Sequence, residues 1–396
     1  MLNFEFLVPT KLIFGRDAQH QVGELVKKYR GTKVLLHYGG GSIKKSGLYD
    51  QVTNSLKKAG IAFVELSGVV PNPRLKLVYE GIDLCRKEGV DFILAVGGGS
   101  AIDSAKAIGV GVCTDTDIWD FYEKGLPVAR TLPVATILTI PAAGSETSKS
   151  SVITNEEKNM KYGLDVEEIR PVFSIMNPEL FFTLPLNQIA NGVADMMSHI
   201  MERYFTNTLS TDLTDGLCEA TLKTIIKNAP ILIRDPKNYD AWAQIGHCGS
   251  MAHTDILGLG RAQEWSCHPM EHELSAIYDI AHGAGLAILT PAWMEYVYNE
   301  NLPMFVQFAV NVMGVDGSFR EPEAIAREGI RRLRDFFTGI GLPETLKDVG
   351  IGTDKLEYMA RKSTGAEYGR EKPLGAIKPL YWKDVLEVYK SAAFRD

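Results

Sequence analysis

Cysteine is scarce in this sequence: five residues in 396, at positions 85, 113, 218, 248 and 267. An odd number without C-x-x-C spacing excludes a disulfide framework and a cysteine-built zinc site, leaving reduced thiols that fill small gaps in a core. Long apolar runs are missing too. None approaches the ~18 residues of a membrane span, and Met1–Glu5 shows no basic region followed by an apolar core. The expectation is a cytoplasmic protein with no membrane partner. Basic clusters go no further than pairs such as Lys27-Lys28 and Lys44-Lys45, and the formal charge is −7, which argues against nucleic acid as a partner. Internal repeats and low-complexity tracts are absent.

What is present is a large apolar content, 45% of the chain, enough for a sizeable core and, at this length, for two domains. Phe4–Val8 and Lys11–Phe14 are short β-prone runs broken by Pro9, the pattern of edge strands, and edge strands invite pairing with a second copy of the chain. From there strand and helix patterns alternate. Lys33–Leu36, Ile61–Leu66 and Val134–Thr139 read as strands, and Asp91–Val96 is a continuous apolar run of the kind buried on both faces of a parallel sheet. Such alternation predicts βαβ units. A hairpin is expected around Asn155-Glu156-Glu157 and a last strand over 172–176. Beyond Leu184 the pattern is helical throughout. The fold class expected is therefore α/β: a Rossmann-like parallel-sheet domain over 1–184, then an all-helical domain over 185–396.

Two glycine turns end predicted strands. Gly97-Gly98-Gly99-Ser100 lets a backbone approach a ligand closely, and Ser100 with Asp103 has the S-x-x-D spacing that caps a helix whose free N–H groups suit a phosphate. The spacing is not the G-x-G-x-x-G fingerprint, so a plain strand-to-helix turn explains it equally well. The second turn, Gly39-Gly40-Gly41-Ser42, carries no acid to hydrogen-bond the adenosine ribose of NAD. With Lys44 and Lys45 close behind, it favours NADP(H), with NAD(H) possible.

Histidine marks the other chemistry. Asp195 and His199 lie one helical turn apart among apolar neighbours, and can hold one ion together or form a buried hydrogen bond. Three of the eight histidines, 268, 272 and 282, fall within fifteen positions. On one straight helix they would share a sector of roughly 80°, yet 268 and 282 would stand about 21 Å apart, whereas ligands of one metal sit ~2 Å from it. Sharing an ion requires a turn between them, and Tyr278-Asp279 followed by His282-Gly283 supplies a place for one. His268-Pro269-Met270-Glu271-His272 also fits H-x-x-E-H, in which two histidines bind zinc and the glutamate activates water. A zinc peptidase is thus the rival reading, although it leaves both glycine turns, the sheet and Asp195/His199 without a role. Cys267 points about 100° away from His268 on a helix and reads as structural.

Taken together, the Gly39–Ser42 turn, Gly97–Ser100 with Asp103 and Lys106, Pro141–Glu146, Asp195 with His199, and His268 through Gly285 resemble the iron-containing (group III) alcohol dehydrogenases over essentially the whole length, above all their butanol dehydrogenase and NADPH-dependent aldehyde reductase branch. The resemblance implies an active site in the cleft between the two domains, where Asp195, His199, His268 and His282 bind one divalent ion, Fe²⁺ or Zn²⁺. It implies that His272 lies near the nicotinamide as a proton relay and is not a ligand. It also implies that Gly39, Gly40, Gly41, Ser42, Lys45, Asn72, Gly97, Gly98, Gly99, Ser100, Asp103, Thr139, Ser145 and Lys161 contact the cofactor. The reaction implied is hydride transfer between NADP(H) and a small primary alcohol or aldehyde, and the N-terminal edge strands, read by themselves, point to a homodimer.

Overall fold

The computed structural model describes residues 1–318 and 321–394. Packing divides the chain into two compact units: Leu7–Leu184 with Pro236–Ser250, and Met1–Phe6 with Pro185–Asp235 and Met251–Asp396. The sequence placed the division at 184/185 and did not anticipate that 1–6 and 236–250 change sides. Tertiary contacts decide the second exchange. Trp242 packs edge-on against Phe181 at 5.4 Å, and Gly246 leaves space for the Met176 sulfur, which a Cβ there would meet at 2.8 Å.

Eight strands occur among the described residues: β1 (Lys11–Phe14), β2 (Lys33–Gly39), β3 (Ala62–Val69), β4 (Phe92–Gly97), β5 (Val134–Leu138), β6 (Ser150–Asn155), β7 (Met160–Asp165) and β8 (Phe173–Met176). Six of them form a wholly parallel sheet in the order β1-β8-β5-β4-β2-β3, while β6 and β7 pair as the expected antiparallel hairpin. The helices of this unit are α1 (Val22–Lys28), α2 (Ser42–Lys45), α3 (Leu48–Lys58), α4 (Leu75–Glu88), α5 (Gly99–Val112) and α6 (Ile118–Lys124). Every residue of β4 is buried, as a central strand covered on both faces requires. On one face Val34, Leu36, Phe92, Leu94, Ile137 and Ile175 share a core with Val22, Val26, Val52 and Leu56 of α1 and α3. The chain runs from β2 to β3 on one side, and from β4 to β5 and β8 on the other. The switch point between β2 and β4 is where open parallel sheets receive ligands, at the carboxyl ends of the strands. Of the two N-terminal runs only Lys11–Phe14 becomes a strand, at the sheet edge. Phe4–Val8 is not one, since beyond β1 no further strand among the described residues offers it a partner.

The remaining helices are α7 (Leu186–Tyr204), α8 (Asp212–Arg234), α9 (Tyr239–Ala252), α10 (Cys267–Tyr278), α11 (His282–Val297), α12 (Leu302–Asn311), α13 (Pro322–Gly339), α14 (Leu356–Ser363) and α15 (Trp382–Ala393). All but α9 belong to the helical unit. Asp279 ends α10 in the left-handed region at φ 52°, and α11 begins three residues later at His282. The histidine-rich stretch is therefore two helices. No described helix is long and apolar enough to cross a membrane.

Candidate functional site

In the α/β unit the two glycine turns stand at the carboxyl ends of the adjacent strands β2 and β4. Gly41 takes φ 123°, a conformation that favours glycine, and a Cβ on Gly40 or Gly41 would meet nothing within 4 Å. That open backbone suits a close-lying ligand. Gly98 is packed differently: a Cβ there would meet Ile140 at 2.9 Å, whereas one on Gly99 would meet only Ala143, at 3.6 Å. Helix α5 is preceded by Gly98 as its N-cap and has no side-chain cap, so the Ser100/Asp103 capping pattern does not form. Asp103 instead turns to the next loops. Its Oδ1 accepts from the Ser145 hydroxyl at 2.5 Å and its Oδ2 from the Val152 N–H at 3.0 Å. Asp103 and Ser145 thus brace the turns around the strand ends. Thr139 donates its N–H to the Gly97 carbonyl at 2.9 Å. Asn72 and Lys161 are buried, Asn72 at φ 54° in the loop after β3 and Lys161 on β7.

Lys106 lies beneath these turns, fully buried, with its ammonium donating to the carbonyls of Ser145 (2.7 Å), Ser148 (3.0 Å) and Ser150 (2.7 Å), and lying within 3.3 Å of the two hydroxyls of Ser145 and Ser148. Burial lowers its pKa to about 8, opposed by the charges of Asp103 and Glu146. A cation with this many acceptors is fully partnered, and it pins the 145–150 loop.

In the helical unit Asp195, His199 and Glu202 lie along one face of α7, at i, i+4 and i+7. Asp195, His268 and His282 offer ligand atoms all within 4.8 Å of one another. His199 completes the cluster, its ring centroid 4.3 Å from that of His268. Each imidazole has one nitrogen already held. His199 donates Nδ1–H to the Asp195 carbonyl at 3.0 Å, His268 Nδ1 binds the Glu202 carboxylate, and His282 Nδ1 binds that of Glu271. This fixes the tautomers and leaves each Nε2 with its lone pair, the form in which histidine ligates a metal. Two polar atoms of the cluster are buried without a hydrogen-bond partner: Asp195 Oδ1 and His268 Nε2. Asp195 Oδ1 is 3.0 Å from His199 Nδ1 and 3.9 Å from His282 Nε2, distances at which charge attracts but no aligned hydrogen bond forms. A buried carboxylate oxygen facing three imidazoles fits a divalent cation, which would satisfy both atoms at once. Burial opposes ionisation of Asp195, but the facing His199, His282 and His268 hold its carboxyl well below the usual carboxylate range. Burial and the neighbouring His268 lower His199, whereas at His268 burial is opposed by the carboxylates of Glu202, Asp195 and Glu271, which together raise it.

Local sequence explains how these groups meet. A Cβ on Gly283 would lie 2.0 Å from the Asn191 carbonyl oxygen, so only glycine lets the start of α11 press onto α7 and bring His282 to Asp195. Gly285 does the same against α10, where a Cβ would meet Glu271 Cγ at 2.7 Å. Glu202 also holds the first turn of α10, because its Oε1 accepts from the N–H groups of Cys267 (2.7 Å) and His268 (3.2 Å). Neither this role of Glu202 nor that of Glu271 was expected. Glu202 was legible as the i+7 member of the Asp195/His199 face, while Glu271 drew attention only through the peptidase pattern. That pattern does not survive the geometry. Glu271 is fully buried, with its two carboxylate oxygens engaged by Ser275 and His282, and the His272 ring is 6.3 Å from His268 and 5.7 Å from His282. Glu271, His272 and His282 also come within 4.8 Å of one another, but Glu271 and His282 are each other's partners. His253 is a further unanticipated neighbour, its ring 4.5 Å from that of His199 and its Nδ1 accepting from Arg203 at 3.0 Å. Cys267 is buried beside the cluster, and burial raises its thiol well above the usual value, which disfavours the ligating thiolate.

Comparison with known proteins agrees with both halves of this arrangement. Residues 9–178 match the family model for iron-containing alcohol dehydrogenase, and residues 189–393 match that for the C-terminal part of the Fe-containing alcohol dehydrogenase family. The NADH-dependent butanol dehydrogenase A of Clostridium acetobutylicum is 47% identical over 393 residues, 99% of this chain and 100% of that protein. The NADPH-dependent aldehyde reductase YqhD of Escherichia coli is 32% identical, covering 91% of this chain and 93% of that protein. Among solved structures, an NADH-dependent butanol dehydrogenase A from Thermotoga maritima superposes with a TM-score of 0.96 at 42% identity, covering 100% of this chain and 99% of the other.

Proposed function

The chain belongs to the iron-containing alcohol dehydrogenase family, oxidoreductases acting on CH–OH groups, and from that premise we propose that it interconverts a small primary alcohol and its aldehyde, such as butanol and butanal, by hydride transfer with NADP(H) or NAD(H). The observation that carries the metal part of this reading is the pair of buried, unpartnered atoms Asp195 Oδ1 and His268 Nε2, in a cluster whose imidazole Nδ1 atoms are already held. Asp195, His199, His268 and His282 would hold one divalent ion, Fe²⁺ or Zn²⁺. When bound, such an ion supplies a Lewis acid for the substrate oxygen. Glu202 and Glu271 keep His268 and His282 in the ligating tautomer, and the low dielectric around Asp195 strengthens its hold on a cation. His272, at the edge of the cluster, is the residue we assign to proton relay.

In the α/β unit, the turns 39–42 and 97–100 receive the dinucleotide. The glycine where an acid would bond the ribose of NAD admits a 2′-phosphate, so NADP(H) is accepted. One relative is named for NADH and another for NADPH, which accords with a cofactor site tolerant of both. We also propose a homodimer through the N-terminal edge: β1 has a free edge, and Phe4, Phe6 and Leu7 just before it are exposed. Sedimentation velocity tests this, a monomer at micromolar concentration being the contrary result. For the reaction itself, NAD(P)H absorbance is followed with a panel of aldehydes in metal-depleted and Fe²⁺- or Zn²⁺-restored protein. Turnover that needs the ion and prefers short straight-chain aldehydes is expected. Turnover independent of the ion refutes the reading.

A further inference from the structure

Beside the Gly39–Ser42 turn, side chains from four successive elements converge on one carboxylate. Tyr38 on β2 donates its hydroxyl to Glu65 Oε2 at 2.6 Å, and Tyr49 on α3 donates to Oε1 at 2.5 Å. Glu65 itself is on β3, opposite Leu36 of β2. Lys44 on α2 completes the group: its ammonium stands 3.7 Å from Glu65 Oε2, 4.8 Å from the Tyr49 ring centroid and 5.5 Å from that of Tyr38. The two rings meet edge-on at 6.2 Å. Both phenols act as donors to Glu65, and Tyr49 is pushed up to about 12 by its hydrogen bond to that carboxylate. Glu65 therefore stays an anion, and Lys44 is drawn towards it and over the two rings.

This matters because Lys44 follows Ser42 by two residues, on the same short helix that opens at the turn. A 2′-phosphate brings close to two negative charges to that place, and a lysine free to reach it would favour NADPH strongly. The Lys44–Glu65 pair is neutral as a whole. Resting on the reading that this turn receives the adenosine ribose, we propose that Glu65 is a specificity-determining residue: by engaging Lys44 it withholds that cation from the 2′-phosphate and keeps NADH competitive with NADPH. Tyr38 and Tyr49 are the positioning residues that hold the carboxylate in place. The preference for NADP(H) suggested by the lysines alone is tempered by an acid that comes from the neighbouring strand.

The test is direct nucleotide binding to the metal-loaded, full-length protein, with NADH and NADPH titrated separately by calorimetry. Glu65→Gln removes the charge while its amide oxygen still accepts from one tyrosine and its NH2 can donate to the hydroxyl oxygen of the other. It is expected to tighten NADPH by about five- to tenfold while NADH moves by less than about twofold, and the gain should shrink at high salt. In Glu65→Gln combined with Lys44→Met the gain should vanish. An unchanged NADPH-to-NADH ratio in Glu65→Gln, or a gain that persists without Lys44, overturns the role of Glu65 while leaving the cofactor reading intact. Failure of the parent protein to bind either nucleotide overturns both.

Discussion

Two sets of buried polar groups, one in each unit, are partnered in opposite ways. In the α/β unit the fully buried Lys106 meets three carbonyls and two hydroxyls, and the fully buried His37 has Nδ1 on the Leu66 carbonyl at 3.0 Å and Nε2 on the Ser104 hydroxyl at 2.9 Å. In the helical unit the carboxylates of Glu202 and Glu271 are just as fully engaged, but His268 Nε2 and Asp195 Oδ1 are buried without a hydrogen-bond partner. Residue type does not separate a structural histidine from a ligating one. The separation lies in whether the second ring nitrogen has a partner, since an unpartnered buried polar atom costs roughly 1–3 kcal/mol unless something outside the chain completes it.

The contrast can be broken at several points. The largest effect is expected from Asp195→Ala, which removes the only carboxylate among the proposed ligands: turnover should fall about a thousandfold or more, with NADH affinity in the α/β unit unchanged. Paired kcat and nucleotide-binding measurements check this. Next come Glu202→Gln and Glu271→Gln, which keep the volume but loosen a ligating imidazole. Each should weaken the ion by about 10- to 100-fold in equilibrium dialysis.

His37 supplies the counter-case in the α/β unit. Burial lowers its pKa from 6.5 to about 4, against the raising effect of the Leu66 carbonyl. The unfolded chain takes up a proton as pH falls below 6.5 and the folded chain does not until about 4, so the folded state loses stability across that window and loses nothing above it. The loss amounts to ~3 kcal/mol by about pH 4, seen as a slope in urea unfolding against pH that flattens in His37→Gln. The smallest effect belongs to Cys267→Ala: about 1 kcal/mol of stability from a small cavity, with ion content unaltered.

Much of this was legible in residue order. The buried run 91–96 announced a central parallel strand, and helix rise alone demanded the break that falls at Asp279. Type and spacing marked Asp195 with His199 and the histidines 268, 272 and 282 as candidates, while the set of four ligands came only from the family resemblance. What could not be read were partnerships across long separations. Glu202 meets His268 across 66 residues and Lys106 meets the 145–150 loop across about 40, and neither pairing leaves a local period. The same holds for Tyr239–Ser250, whose place in the α/β unit rests on Trp242 and Gly246 finding Phe181 and Met176. Glu65 escaped notice for a related reason, since the acid that faces Lys44 comes from β3 and not from the end of β2.

The central claim is that one divalent ion completes the Asp195–His199–His268–His282 cluster. Cobalt(II) titration of the metal-stripped protein, read by its visible d–d absorption, addresses it without relying on turnover. The account predicts a saturating band at one ion per chain that is lost in His268→Ala and in His282→Ala, and kept in Cys267→Ala. An undiminished band in either histidine variant would place the ion elsewhere and contradict the account.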